Sequence, residues 1–345
     1  MKCIADLRSD TITRPSPAML EAMVQAPVGD DVLGDDPTVN RLQEHMARLL
    51  NKPAALFVPS GTMANQMAIR TVCEPGDEII VDETTHCLNY ESGAPAALSG
   101  VNIRTVCGRR GVFTPRQVEQ ACRAQGIHFA RSRMVVIENT NNRGGGTVWP
   151  LDDVRAVAQA AHARGLHVHL DGARLWNASV ASGHALATCA ACVDSVSLCF
   201  SKGLGAPVGS ILVGDEQFIE RARRFRKMFG GAMRQAGLLA GAALYAVEHN
   251  VERLAEDHAN ARLLAEALAE MPGISIDPAT VETNIVIFEI DPALGTSGEF
   301  ASRLDALGVR MLPEMPTRVR AVTHLDVSRE QIEQAIAVLR QVTAG

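Results

Sequence analysis

A chain of 345 residues that is 47% hydrophobic but only 4% aromatic can build a large aliphatic core with room for a second, smaller one. Its formal charge of -6 offers no basic footprint for nucleic acid, and no apolar run approaches the roughly 18 residues that a membrane span needs. The opening MKCIADLRSD has no signal-peptide core, and eight cysteines scattered along so long a chain read as free thiols of a reducing, cytoplasmic compartment.

The first two thirds alternate short apolar runs with helical patterns. Strands are expected at 54–58 (AALFV), 78–81 (EIIV), 103–106 (IRTV), 134–138 (MVVIE), 166–170 (LHVHL), 195–200 (SVSLCF) and 210–213 (SILV). The clearest helix lies between the fourth and fifth. Val154, Val157, Ala158 and Ala161 mark one face, Asp152 or Asp153 can cap its start, and Gly165 stops it. This alternation indicates an α/β layer structure around a mostly parallel, seven-stranded sheet. The basic run RARRFRK, 221–227, reads as a solvated helix face. From 236 to 271 the pattern becomes one long helical stretch that can bridge two domains. Strands at 283–290 and 319–327, a helix near 298–307 and a final helix opened by the capping box Ser328/Gln331 complete a small α+β domain. The expected division is 1–245, with residues 1–30 at the active site and interface, and 246–345.

Candidate chemistry starts at Lys202, in the glycine-rich turn SKGLG after the sixth strand. An immobile, partly desolvated lysine can attack a carbonyl as the neutral amine; the alternative is a surface-loop lysine. Asp171 stands at the end of the fifth strand, and in open parallel sheets that edge binds ligands. An acid and an amine on one edge suit pyridoxal phosphate (PLP): the lysine forms the Schiff base and the acid holds the pyridine nitrogen protonated. Asp171 could instead cap a helix. Ser60-Gly61-Thr62 joins a strand to a helix whose first N–H groups, with the Thr62 hydroxyl, can take a phosphate. His86 could stack on a flat ring or act as acid or base, or be a loop histidine. Arg174 and Arg320 could clamp a carboxylate. The pair His167/His169 on one strand face raises a rival, a metal half-site of a hydrolase, but no further ligand stands at metal spacing. Cys189-Ala-Ala-Cys192 lacks a redox context, and RGGGT at 143–147 lacks dinucleotide spacing, so neither needs a role beyond structure.

Taken together, DLRSDTITRPSPAMLEAM, VGDDVLGDDPTVNRL, PSGTMAN, IHFARS, ENTNN, HLDGARLWNA, SKGLGAPVGSILVG, RKMFGGAMRQAG and VTHLDVSREQ run along nearly the whole chain, and the sequence resembles the low-specificity L-threonine aldolases. These are PLP enzymes of the aspartate-aminotransferase-like fold (fold type I). The resemblance implies a lyase that cleaves L-threonine, L-allo-threonine and other L-3-hydroxy-α-amino acids to glycine and an aldehyde. Its neighbours are other fold type I lyases, aminotransferases, or a preference for phenylserine. It also implies roles. Lys202 holds the cofactor, Asp171 faces its nitrogen, and His86 stacks on it as a candidate base. Gly61 and Thr62 hold the phosphate, with Lys227 and Arg234 reaching in from a neighbouring subunit. Ser9, Arg174 and Arg320 bind the carboxylate, and Arg174 can also reach the ring hydroxyl. His128 serves the β-hydroxyl region. The family is usually tetrameric, with sites shared across a dimer. The chain departs from it at Leu33, Asn141 and Ala232, and in LNYESGAP after His86. These departures are expected to touch the substrate end.

Overall fold

The computed structural model describes residues 3–344. Its main sheet has strands β1 (Ala54–Val58), β2 (Glu78–Asp82), β3 (Asn102–Val106), β4 (Ser132–Glu138), β5 (His167–Gly172), β6 (Ser195–Cys199) and β7 (Ser210–Gly214), in the order β1-β7-β6-β5-β4-β2-β3. Only β7 runs against its neighbours; the other pairings are parallel. Six strand ends therefore point the same way.

Every residue of β2, β6 and β7 is buried, which requires helices on both faces. Alternation along the strands supplies the two apolar sides. Leu56, Val58 and Leu212 pack on the helices Gly61–Val72 and Glu216–Met228. Ala55, Phe57, Val135, Leu170 and Leu198 face the opposite layer, which includes Pro37–Leu49, Leu151–His162 and Gly237–His249.

A second core gathers around an antiparallel sheet of Leu312–Pro313, Arg318–Val322, Ile285–Ile290 and Ile274–Ser275, in that order. The helices Leu254–Ala269, Ser297–Ala306 and Arg329–Thr343 cover it, the last opened by the expected Ser328/Gln331 box. Ala5 and Leu7 belong to this core, because Ala5–Asp6 pairs in parallel with Val309–Arg310. Residues 5–7 thus lie in the small unit, and the next ones cross toward the ends of the main strands.

Three local expectations are corrected. The stretch 236–271 is two helices rather than one, broken at 250–253, where the Asn250 side chain donates to the Leu204 carbonyl at 2.8 Å. Apolar periodicity continues across this break, so the pattern alone conceals it. Asp152 and Asp153 sit inside the first turn of their helix, behind Pro150, and do not cap it. The run 221–227 is not wholly solvated: Arg226 is buried, its guanidinium 2.8 Å from Asp31 and 2.8 Å from the Phe57 carbonyl. No helix among the described residues is long and apolar enough to cross a membrane.

Candidate active site

The parallel strand ends deliver the chemistry to one edge. Asp171 ends β5 beside Ser197 of β6, and Lys202 follows β6 by three residues. The turn after Lys202 closes through a bond from the Gly205 N–H to the Lys202 carbonyl, with Gly205 at φ +78, a conformation glycine adopts without strain. Beyond β1, Ser60 caps the Gly61–Val72 helix, accepting from the Met63 N–H at 3.2 Å. A Cβ at position 61 would lie 2.7 Å from the Cys199 sulfur, so only glycine brings this turn against β6.

These elements enclose a cavity of about 320 Å³ lined by Gly61, Thr62, Asn65, His86, Asp171 and Lys202 among others. A second, of about 360 Å³, is lined by Ser9, Tyr90, Asn142, Arg143, Arg174, Arg320 and Glu314. Thr11, His86 and Lys202 border both. Of the three lysines among the described residues, Lys52, Lys202 and Lys227, only Lys202 lines either cavity; the fourth, Lys2, lies outside the described residues. Lys52 donates to the Val193 carbonyl instead.

In the first cavity Asp171 is buried. One oxygen accepts from the Asn65 amide at 2.8 Å and the other from the Ala173 N–H at 3.1 Å. The His86 backbone N–H donates to Glu138 at 2.6 Å, which fixes where its short helix starts. The His86 ring meets Glu91 at 2.9 Å. Burial opposes charging of the ring, but the Glu91 hydrogen bond and the charge of Asp171 outweigh it and raise its pKa. Burial, and then the nearby charge of Asp171, raise the Glu138 carboxyl.

The second cavity is built on two arginines. Arg174, which follows β5, makes a two-pronged ion pair with Asp10, both bonds 2.7 Å, and both partners are buried. Burial disfavours both charges, yet each partner holds the other ionised: Asp10 lies well below the ordinary carboxylate range and Arg174 above its usual value. Arg320 donates to Asn142 at 2.9 Å and stands 3.7 Å from Glu314. Burial and the neighbouring Arg174 lower its pKa. Its Nε is buried without a partner. At the cavity wall Arg143 donates to the Tyr90 hydroxyl, and the Tyr90 ring lies 5.6 Å from the His86 ring.

Lys202, Asp171, His86, Gly61, Thr62, Ser9, Arg174 and Arg320 are therefore brought together. His128, Lys227 and Arg234 are not. His128 sits in an exposed loop leading into the start of β4, at the opposite edge of the sheet. Lys227 is exposed, and Arg234, also exposed, pairs with Asp30 at 2.9 Å. Of the departures, LNYESGAP reaches the substrate cavity as expected, bringing Tyr90 to its wall and Glu91 to the His86 ring, whereas the other three do not. Asn141 is buried, accepts from the Gly144 N–H at 2.7 Å and shapes the turn that presents Asn142 and Arg143; Leu33 is exposed; none of Leu33, Asn141 and Ala232 lines either cavity. The His167/His169 pair is no open metal half-site, since both rings bond the Ser195 hydroxyl, at 2.8 and 2.9 Å.

Sequence reasoning passed over Asp10, Asn65, Glu138, Asn142 and Arg143, and marked Tyr90 and Glu91 only as part of the stretch LNYESGAP. Glu91 had a usable signal, an acid five residues after a candidate histidine. Asn65 and Asp10 become functional only through contacts 106 and 164 residues away.

An α/β sheet with a lysine and an acid at one strand edge and a helix start facing them defines a fold type I PLP enzyme. The Beta-eliminating lyase profile matches residues 6–291. The chain is 44% identical over 341 residues to the low specificity L-threonine aldolase of Escherichia coli (strain K12), covering 98% of this chain and 99% of that one. It is 41% identical to low-specificity L-threonine aldolase 1 of Arabidopsis thaliana, covering 97% and 95%. Among solved structures, Leishmania major threonine aldolase superposes with a TM-score of 0.83 at 21% identity over 97% of this chain and 98% of that one. Sphingomonas wittichii serine palmitoyltransferase gives 0.75 at 20% identity, over 97% and 86%. The chain belongs to the beta-eliminating lyase family, among the low-specificity L-threonine aldolases.

Proposed function

We propose that the protein cleaves the Cα–Cβ bond of L-3-hydroxy-α-amino acids, L-threonine and L-allo-threonine first, to glycine and an aldehyde. The observation that carries this reading is that Lys202 and His86 border both a cavity fit for PLP and an arginine-lined cavity fit for an amino acid.

The residues suit the cofactor. The start of the Gly61–Val72 helix, with Gly61 and Thr62, faces a phosphate. Asp171, held by the Asn65 amide and the Ala173 N–H, would face a pyridine nitrogen, and Lys202 is the amine that would hold the aldehyde. When bound, PLP supplies the electron sink that lets a bond at Cα break.

The chain supplies the rest. Arg174 and Arg320, with Ser9, grip the substrate carboxylate through charge-assisted bonds and so fix which bond at Cα stands ready to break. His86 faces both cavities and can take the β-hydroxyl proton, an effect typically worth about 10²–10⁴-fold. Glu91 holds its ring. Lys202, at the border of both cavities, stands where its amine could also move a proton at Cα. Tyr90 and Arg143 wall the space for the β-substituent.

His128, Lys227 and Arg234 serve the site of a second copy, in a homotetramer built from dimers. Their exposure and distance from this chain's cavities support that, as do the exposed apolar side chains beside His128, Ile127 at 97% and Phe129 at 50%. Two apolar cores support a PLP-binding domain and a small domain, expected as 1–245 and 246–345, with Ala5 and Leu7 packed in the small core and Leu254 in the large one. The cysteine pattern supports a cytoplasmic location.

Incubating the PLP-loaded protein with L-threonine, L-allo-threonine and phenylserine tests the activity. Glycine and acetaldehyde in equal amounts from either threonine isomer are expected; pyruvate and ammonia, or a requirement for a keto acid, would overturn it. Mixing Lys202→Ala with His128→Ala subunits tests the sharing. Partial recovery of activity is expected, and no recovery from co-assembled subunits would refute it.

A further inference from the structure

Two carboxylates crowd the first cavity. Oxygens of Asp171 and Glu91 and a ring nitrogen of His86 all lie within 4.8 Å of one another. Two carboxylates so close repel unless donors stand between them.

One side chain stands between them. The Asn65 amide nitrogen donates to Asp171 at 2.8 Å and to Glu91 at 2.9 Å, so each of its hydrogens serves one carboxylate. Carboxylates only accept, which sets the amide's orientation. Its oxygen faces the other way and accepts from the Ser197 hydroxyl at 2.8 Å and from the His169 ring at 3.2 Å. That bond needs a hydrogen on His169 Nε2. The neutral ring then accepts at Nδ1 from Ser195, 2.9 Å away, and Ser195 in turn accepts from His167 Nε2 at 2.8 Å. Burial lowers the pKa of both imidazoles to about 4, so this chain runs in one direction at neutral pH.

We propose that Asn65 is a positioning residue that holds the carboxylates of Asp171 and Glu91 side by side, each on one amide hydrogen, and that the His167–Ser195–His169 chain locks its amide in the working orientation. The inference rests on reading Asp171 as the partner of PLP, and it gives the H-x-H pair a task in place of metal binding. Besides Asn65, the groups facing the two carboxylates are His86, Glu138, His169, Cys87 and Lys202, together with Gln66, which donates to Glu91 at 2.5 Å.

Asn65→Asp keeps the shape but replaces both donors with a third acid. Measured by dialysis and visible absorbance, this variant is expected to bind PLP about tenfold or more weakly. On acidification the holoenzyme should lose the cofactor at a higher pH than wild type, because the variant replaces the donor between the two carboxylates with a like-charged neighbour. His169→Leu should move both readouts in the same direction by less, and His169→Gln, which still offers an N–H, should restore them. Wild-type affinity and an unchanged acid midpoint in both Asn65→Asp and His169→Leu would overturn the proposal. Should Asn65→Asp not fold, the contrast between His169→Leu and His169→Gln decides alone: equal behaviour refutes the lock. A wild-type protein that binds no PLP would instead strike the proposed function, and this inference with it.

Discussion

The two cavities that share Lys202 and His86 are built differently. In the first, the acid is fully committed before any ligand arrives: both oxygens of Asp171 have donors and the residues behind it are buried. In the second, the arginines are balanced by the chain's own acids, with atoms left over. Arg320 Nε is a donor buried without a partner. The cofactor end is thus preorganised, while Arg320 at the substrate end keeps a donor that a carboxylate can take up.

The contrast can be broken first at Lys202. Lys202→Ala should lower turnover of L-threonine roughly a thousand-fold or more, with the fold intact; a steady-state assay beside circular dichroism checks this. At the other end, Asp10→Asn removes the acid that holds Arg174 in a dry site. Loss of one partner of a buried pair costs about 3–5 kcal/mol, so chemical denaturation should show a large destabilisation, and a negligible one would mean that the pair is not dry. Arg320→Leu should raise KM for L-threonine about 10- to 100-fold with a smaller effect on kcat, the value of a charge-assisted bond or two. A fall in kcat at constant KM would move Arg320 from binding to chemistry.

Smaller effects sharpen the account. Glu91→Gln removes the partner that raises the pKa of His86. If His86 works as a base, the acid limb of the pH–rate profile should move to lower pH, and an unmoved limb would remove it from that role. Burial holds His167, His169 and His258 to about 4, below the roughly 6.5 of an unfolded chain. Between those values the unfolded chain binds more protons, so stability should fall as pH drops from about 6.5 toward 4. Urea midpoints across that range, compared with His169→Gln, measure the share of one ring.

The same division governs what the sequence makes legible. The cofactor end comes from short motifs at strand ends, Ser60-Gly61-Thr62, Asp171 and Ser201-Lys202, where local pattern and the rule of the strand edge coincide. At the substrate end Arg174 and Arg320 are legible as a carboxylate clamp, but Asn142 and Asp10, which bond them, are not; Asp10 follows closely on the parallel pairing of Ala5–Asp6 with Val309–Arg310. Two-residue strands carry no period, so nothing in the pattern announces that pairing. Asn65 escaped for another reason: within its helix it reads as an ordinary polar residue, and only β5 and β6 behind it reveal its bonds to Asp171, His169 and Ser197. The break at Asn250 is equally silent, being fixed by a bond to Leu204 rather than by a change in local composition.

The most direct test of Lys202 as the cofactor's anchor is borohydride reduction of the PLP-loaded protein, followed by peptide mass mapping. With four lysines in the chain, the outcome has few alternatives. A reduced pyridoxyl adduct on Lys202 alone, absent from Lys202→Ala, is the expected result. An adduct on Lys2, Lys52 or Lys227, or no adduct on a protein that has bound PLP, would contradict it.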